Sequence, residues 1–272
     1  MGLLLNSCIE EKVKLHIAGK IARVGGSVNQ LLTYQNCIVE DINLLDGGYG
    51  IVRNINGART PFQMFKVIQR YLSQERKYLL HGYAIPRDRK TISLDMHNAC
   101  DNPSFADRYD AVISSNMIEH SPNPIFLLLN FYFVARKGGY QYHAIPHYKY
   151  TFDVYRTPTS LEHMIEDFEH KTDKSDTSHS EDYVQSAIEK HGWQKSFHEK
   201  YPVAYPYMHF HVFDERNIRQ LFEFMFEDVV TDVLTTKEFS DNVVLFKNVL
   251  NQNFAGKYRT LIESYSKNLL SG

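Results

Sequence analysis

Residues 109–156 read YDAVISSNMIEHSPNPIFLLLNFYFVARKGGYQYHAIPHYKYTFDVYR, and this stretch decides the fold. After Tyr109-Asp110, the apolar run Ala111 to Ser114 is long enough for a buried strand and too short for a helix. The polar turn Ser115-Asn116 and the pair Glu119-His120 follow it. Ser121 and Pro122 offer a helix cap and a first-turn proline. The nearly unbroken apolar run Ile125 to Val134 predicts a helix buried against a sheet. Arg136 and Lys137 suit its C-terminus, and Gly138-Gly139 suits a left-handed stop. Tyr140 to Ile145 is a second strand, ended by Pro146. The pattern is a βαβ unit with polar residues at the carboxyl ends of its strands, the edge where open α/β sheets bind ligands.

The blocks SSNMIEHSPNP, RKGG and IPHYKYTFDVYR, with HFHVF at 209–213, resemble a bacterial sugar and polysaccharide methyltransferase family. That family belongs to the class I S-adenosylmethionine (SAM)-dependent methyltransferases. The resemblance spans roughly Thr91 to Val249. It implies a Rossmann-like α/β fold, a seven-stranded, mostly parallel sheet with an insertion after strand two, and SAM as cofactor. It also implies a sugar as substrate: free, nucleotide-linked or in a surface polysaccharide.

The 272 residues fit one enlarged α/β domain, with an insertion at about 46–90 and a substrate-binding segment at about 147–213. Hydrophobic content of 43% supports a sizeable core, and a net charge of −2 gives no expectation of nucleic-acid or membrane binding. The 18 Tyr and 17 Phe line a core and a cleft. Cys8, Cys37 and Cys100 show neither metal spacing nor a disulfide framework, which points to a reducing cytoplasm. No run approaches the ~20 apolar residues of a membrane span. The start, MGLLLNSC, lacks the basic residues of a secretory signal and has Asn6 where a myristoylation signal needs Ser or Thr.

Along the chain, KVKLHIA (12–18) reads as the first strand, with Gly19 after it. Gly19, Gly25 and Gly26 replace the glycine-rich cofactor loop only poorly. CIVED (37–41) is the second strand. An acidic residue at its end accepts both hydroxyls of a ribose, with Asp41 the first choice and Glu40 behind it. Asp46 belongs to the turn LLDGGYG. Thr60-Pro61 caps a helix whose face Phe62, Phe65, Ile68 and Leu72 reads as core. Arg87, Arg89 and Lys90 read as a solvated loop. Thr91 to Met96 is the third strand. The resemblance gives Asp95 the adenine amino group and Met96 a backbone contact, with Ser115 and Asn116 also beside the cofactor.

Ser160 caps a helix with face Leu161, Met164, Ile165 and Phe168, and His163 among them reads as structural. Residues 170–182 read as a polar surface loop. Tyr207 to Phe213 reads as a strand sending Tyr207, His209, His211 and Phe213 to one face. Asp214 caps a helix with stripe Ile218, Leu221, Phe222, Met225 and Phe226. Residues 228–235 and 242–250 form a closing hairpin. The amphipathic end, 254–270, packs on its own domain or on a second subunit of a homodimer.

A sugar hydroxyl is a weak nucleophile and needs a base. The candidates are His209 or His211, with Asp153 orienting an imidazole or binding a substrate hydroxyl. Arg156 holds the YTFD loop or grips an anion. His147 stands where the family more often has an acid. A divalent metal on His209, His211 and a carboxylate is a second hypothesis, though no metal is assigned. The alternative to an enzyme is a degenerate methyltransferase-like domain serving as a binding or scaffold subunit.

Overall fold

The computed structural model describes residues 9–25, 33–34, 37–43, 60, 62, 65, 69, 83–84, 90–191, 208–235 and 240–270. The described helices are α1 (Glu10–His16), α2 (Pro124–Val134), α3 (Leu161–His170), α4 (Ser180–His191), α5 (Glu215–Met225) and α6 (Gln252–Tyr265). The strands are β1 (Gly19–Val24), β2 (Thr33–Tyr34), β3 (Cys37–Asn43), β4 (Tyr83–Ala84), β5 (Lys90–Ser93), β6 (Tyr109–Ser115), β7 (Ala135–Pro146), β8 (Val230–Thr235) and β9 (Ser240–Lys247).

Seven strands form one sheet in the order β5-β3-β1-β6-β7-β9-β8, and β2 pairs with β4 separately. The first five run parallel, while β7–β9 and β8–β9 pair antiparallel. This is the Rossmann-like α/β methyltransferase fold, with the expected closing hairpin at one edge. β4 falls within the expected insertion.

The sheet buries both faces. On one, Val24, Ile42 and Val112 pack under α2, α3, α5 and α6, with Ile125, Leu128, Phe168, Phe222 and Phe254 in the same core. On the other, Ile9, Val13 and Ile17 of the α1 segment cover Ile21, Ala111, Ile113 and Tyr142. The spacing of four puts those three on one helical face.

That second layer overturns the first-strand reading. Residues 12–18 alternate over a short window, but the buried positions are Ile9, Val13 and Ile17, and Leu15 stands 74% exposed. The segment is therefore helix up to His16, and the strand begins at Gly19.

The α2 unit forms with two local corrections. Its cap is Asn123, whose side chain accepts from the Phe126 N–H, and Pro124 takes the first turn; Ser121 and Pro122 precede it. The helix does not stop on Gly138-Gly139. Ala135 is already extended, and the amide of Asn248 lies 3.1 Å from the Tyr132 carbonyl and 2.9 Å from that of Ala135, covering the orphan acceptors there. Arg136 to Gly139 instead begin β7 at a bulge opposite Tyr109 and Ala111. Gly139 is required there, since a Cβ would meet the Asp110 carbonyl oxygen at 2.5 Å.

Ser160 caps α3, and Asp214 with Asn217 forms a reciprocal capping box on α5, whose Ile218, Leu221, Phe222 and Met225 are buried. α6 packs on its own chain through Phe254, Tyr258 and Ile262. Residues 171–179 form the expected surface segment, with exposed and half-buried residues around one buried side chain, His179, while 180–182 already belong to α4. Phe62 and Phe65 are exposed, not core, whereas Ile68 and Leu72 lie outside the described residues, as do Asp46, Arg87, Arg89 and Tyr207. No helix among the described residues is long and apolar enough to cross a membrane.

Candidate active site

The strand order reverses between β1 and β6, so the crevice outside the carboxyl ends of these two strands is where the fold binds ligands. Gly25 ends β1 at this point with φ +68°; a Cβ there would lie 2.3 Å from the Met117 side chain and 2.9 Å from the Ser115 carbonyl oxygen. Ser115 closes β6, and Asn116 follows in a left-handed conformation (φ 53°), its N–H donating to the Ala144 carbonyl. Beyond β5, Asp95 caps the turn at Met96–Asp101 by accepting from the His97 N–H at 3.0 Å, and it also carries the Lys174 ammonium. Asp95, Met96, Ser115 and Asn116 thus all follow or end strands at one edge.

Gly19 and Asp41 stand elsewhere. Gly19 opens β1, at the opposite end of the strand from the crevice, with the Asp110 side chain against its Cα. It is corrected from a loop glycine to a strand-entry glycine, because the segment before it is helical. Asp41 lies inside β3, two residues short of its end, and its Oδ1 accepts from Arg23 Nε at 2.8 Å and Nη2 at 2.6 Å. Glu40, on the other face, accepts from the Tyr109 hydroxyl and from Arg108, each at 2.8 Å.

The second group of residues comes from three segments that meet beyond β6. The YTFD turn follows β7; the 208–213 segment runs beside the Glu119–Ser121 turn. Arg156 joins them: Nη1 donates to Asp153 Oδ1 and to the His209 carbonyl, both at 2.8 Å, and Nη2 donates to the Phe210 carbonyl at 3.0 Å. Its Nε donates to Asp182 at 2.7 Å. Arg156 is therefore a clamp on the YTFD turn, with four of its five N–H donors spent on the protein.

The clamp sets Asp153 against His209. His209 Nδ1 lies 2.6 Å from Asp153 Oδ2, and Thr151 Oγ1 lies 2.9 Å from the same oxygen. A carboxylate holding Nδ1–H leaves Nε2 with the lone pair. Burial raises the Asp153 pKa, but His209 and Arg156 outweigh it and hold the carboxyl down to about 2. Burial likewise opposes the charge on His209, but Asp153 and Glu119 more than offset it, so its pKa is raised.

Glu119 and His120 complete the cluster. Glu119 is 1% exposed, and neither carboxylate oxygen has a hydrogen-bond partner among the described residues. Burial pushes its pKa up to about 7, against the pull of His209. His120 Nδ1 lies 3.0 Å from the Met208 carbonyl, its ring packs edge-on to His209 at 4.6 Å, and burial holds its pKa down to about 3.

His209 and His211 do not share a face. The N–H groups of Phe210 and His211 both point at the Glu119 carbonyl, at 2.8 and 3.3 Å, so residues 208–213 follow no strand ladder. The alternation expected of a strand fails, and His211 turns toward Asp167, 3.0 Å from its Nε2. His147 lies apart from both: its Nδ1 accepts from the Lys149 N–H, its Nε2 faces exposed Glu215 at 3.1 Å, and its ring stacks on Tyr148.

Sequence reasoning selected His209, Asp153 and Arg156, but it committed to no role for Glu119 and His120 and took Gly25 only as a weak loop glycine behind Gly19. The signal for Glu119 and His120 was the acidic-basic pair soon after β6; for Gly25 it was the correct end of β1.

No protein-family model matches the chain, and no curated protein matches it. Among solved structures, it is similar to a SAM-dependent methyltransferase of Methanosarcina mazei, at 12% identity and a TM-score of 0.43, covering 90% of this chain and 99% of that one. It is also similar to the CurJ carbon methyltransferase, at 11% identity and a TM-score of 0.41, covering 85% of this chain. A third is the N-methyltransferase NodS of Bradyrhizobium japonicum, at 8% identity and a TM-score of 0.37, covering 89% of this chain and 92% of that one. The chain spans about half the length of CurJ, 49%.

Proposed function

We propose that the protein is a cytoplasmic SAM-dependent O-methyltransferase acting on a sugar hydroxyl, free, nucleotide-linked or in a polysaccharide pathway, with His209 as general base. The observation that carries this reading is the buried Asp153–His209 contact of 2.6 Å beside the crevice edge.

At the switch point Gly25 packs directly against Met117 and the Ser115 carbonyl, which brings the turn after β1 close to the turn after β6, where the cofactor would lie. Gly25, Ser115, Asn116 and the Asp95–Met96 turn would hold SAM, which supplies an already activated methyl group. Asp41, with its carboxylate on Arg23, is not among the residues that would accept the ribose.

The remaining work falls to the protein. Methyl transfer is an in-line displacement that needs alignment and a dry site. The acceptor hydroxyl gives its proton to His209 Nε2, while Asp153 fixes the ring and stabilises the imidazolium that forms, a division of labour shared with other carboxylate–His pairs. Glu119 faces that developing positive charge. Arg156 positions Asp153 and acts through it.

Calorimetry with SAM and its demethylated product, followed by product mass analysis with labelled SAM over a panel of nucleotide sugars, tests the proposal. Binding with transfer to a sugar oxygen is expected. Binding of neither compound would instead favour a scaffold domain and reject the reading.

A further inference from the structure

His211, turned away from His209, sits in a second constellation. α3 presents His163 and Asp167 four residues apart on one face. His179 enters from the turn before α4. One ligand atom from each of His163, Asp167, His179 and His211 lies within 4.8 Å of the others.

The separations match a coordination shell. His163 Nε2 is 2.9 Å from His179 Nε2, and Asp167 Oδ2 is 3.0 Å from His211 Nε2, 3.5 Å from His163 Nε2 and 3.9 Å from His179 Nε2. A tetrahedral zinc ion with ligands about 2.0–2.1 Å away sets its ligand atoms about 3.4 Å apart.

The outer contacts point the same way. Metal-binding imidazoles donate their other N–H to a carbonyl or carboxylate. His211 Nδ1 lies 2.9 Å from the Ser121 carbonyl, and His179 Nδ1 lies 2.9 Å from Asp176 Oδ2. Asp167 Oδ1 accepts from the Thr172 hydroxyl at 2.9 Å. A carbonyl oxygen only accepts, so the His211 proton is on Nδ1, and its Nε2 lone pair faces a carboxylate oxygen. Likewise the Nε2 atoms of His163 and His179 face each other. His211, Asp167 and His179 are buried, and half-buried His163 provides the entry side.

We propose that His163, Asp167, His179 and His211 form a structural zinc site. Three imidazoles and one carboxylate make a closed tetrahedral set with no open position, the pattern of a structural rather than a catalytic ion. It fastens α3 and the 171–179 turns to the 208–213 segment. Through Ser121, whose hydroxyl meets His97 at 2.8 Å, it also braces the turn after β6. The site stands whether or not the chain transfers methyl groups.

Elemental analysis of the full chain, purified from zinc-supplemented medium, tests this. About one zinc per chain is expected, and the cobalt-substituted protein should show the intense visible absorption of a tetrahedral ion. Asp167→Asn and His179→Ala should lose the metal. Asp176→Asn, a milder change, should weaken zinc about 10–100-fold in competition with a chelator while leaving the circular dichroism of the wild type. Metal-free wild type, a weak octahedral cobalt spectrum, or zinc kept by His179→Ala and lost by His120→Ala would overturn the proposal.

Discussion

His209 and His211 are separated by one residue, Phe210, yet they stand in different chemistry. His209 faces Asp153, Glu119 and His120, and its Nδ1 contact is a carboxylate clamped by Arg156. His211 faces Asp167, His163 and His179, and its Nδ1 contact is a backbone carbonyl. The carboxylates raise the pKa of the first ring, whereas burial lowers that of the second despite Asp167. The difference arises from backbone: both following N–H groups turn onto the Glu119 carbonyl and rotate successive side chains apart. Spacing alone assigns neither ring its role; the partners do.

The largest break in this comparison should come from Arg156→Ala. Arg156 and Asp153 are both nearly fully buried, so the change strands a carboxylate as well as freeing the 208–213 segment. A loss of about 3–5 kcal/mol in urea unfolding is expected. A change within error would show that the clamp does not hold the two segments together.

A second test uses pH and has opposite signs for stability and rate. His209 has a raised folded pKa, so its stabilising contribution is full below the ordinary 6.5 and is lost as pH rises through the folded value. Glu119, raised to about 7, adds in the same direction. Asp153, held at about 2 against an ordinary 3.8, contributes above the ordinary value and loses that contribution as pH falls through about 2. Buried His97, His120 and His143, held down to about 4, 3 and 3, cost stability as pH falls below the ordinary 6.5, so urea midpoints should peak near that value. Methyl transfer needs neutral His209, so its rate should climb with pH through a value above 6.5, just where stability declines. Asp153→Asn should shift that kinetic limb to lower pH, and an unmoved limb would detach Asp153 from the base.

The smallest expected effect is at the crevice. Gly25→Ala places a Cβ in a left-handed conformation against Met117 and the Ser115 carbonyl, a cost of about 1–2 kcal/mol. Urea unfolding should read that loss with the far-ultraviolet spectrum unchanged, and an unmoved midpoint would show that the turn does not depend on glycine.

The fold was legible wherever periodicity ran long enough. The apolar run before Arg136 gave α2, and Asp214 with the Ile218–Met225 stripe gave α5. The first strand was misplaced because Leu15 and Ile17 alternate with polar neighbours, while the helical face uses Ile9, Val13 and Ile17. That shift of one element moved the glycine assignment from Gly25 to Gly19. Asp153, Arg156 and His209 could be named from their motifs, but Glu119 and His179 acquire meaning only from tertiary packing. Their neighbours in sequence do not include Asp153, Asp167 or His211.

The central claim, that His209 Nε2 takes the acceptor proton, is tested most directly by comparing methyl transfer and SAM binding in the wild type and His209→Ala, using whichever nucleotide sugar the panel identifies. The rate should fall about 10²–10⁴-fold with SAM affinity preserved. Wild-type turnover in the variant would contradict it.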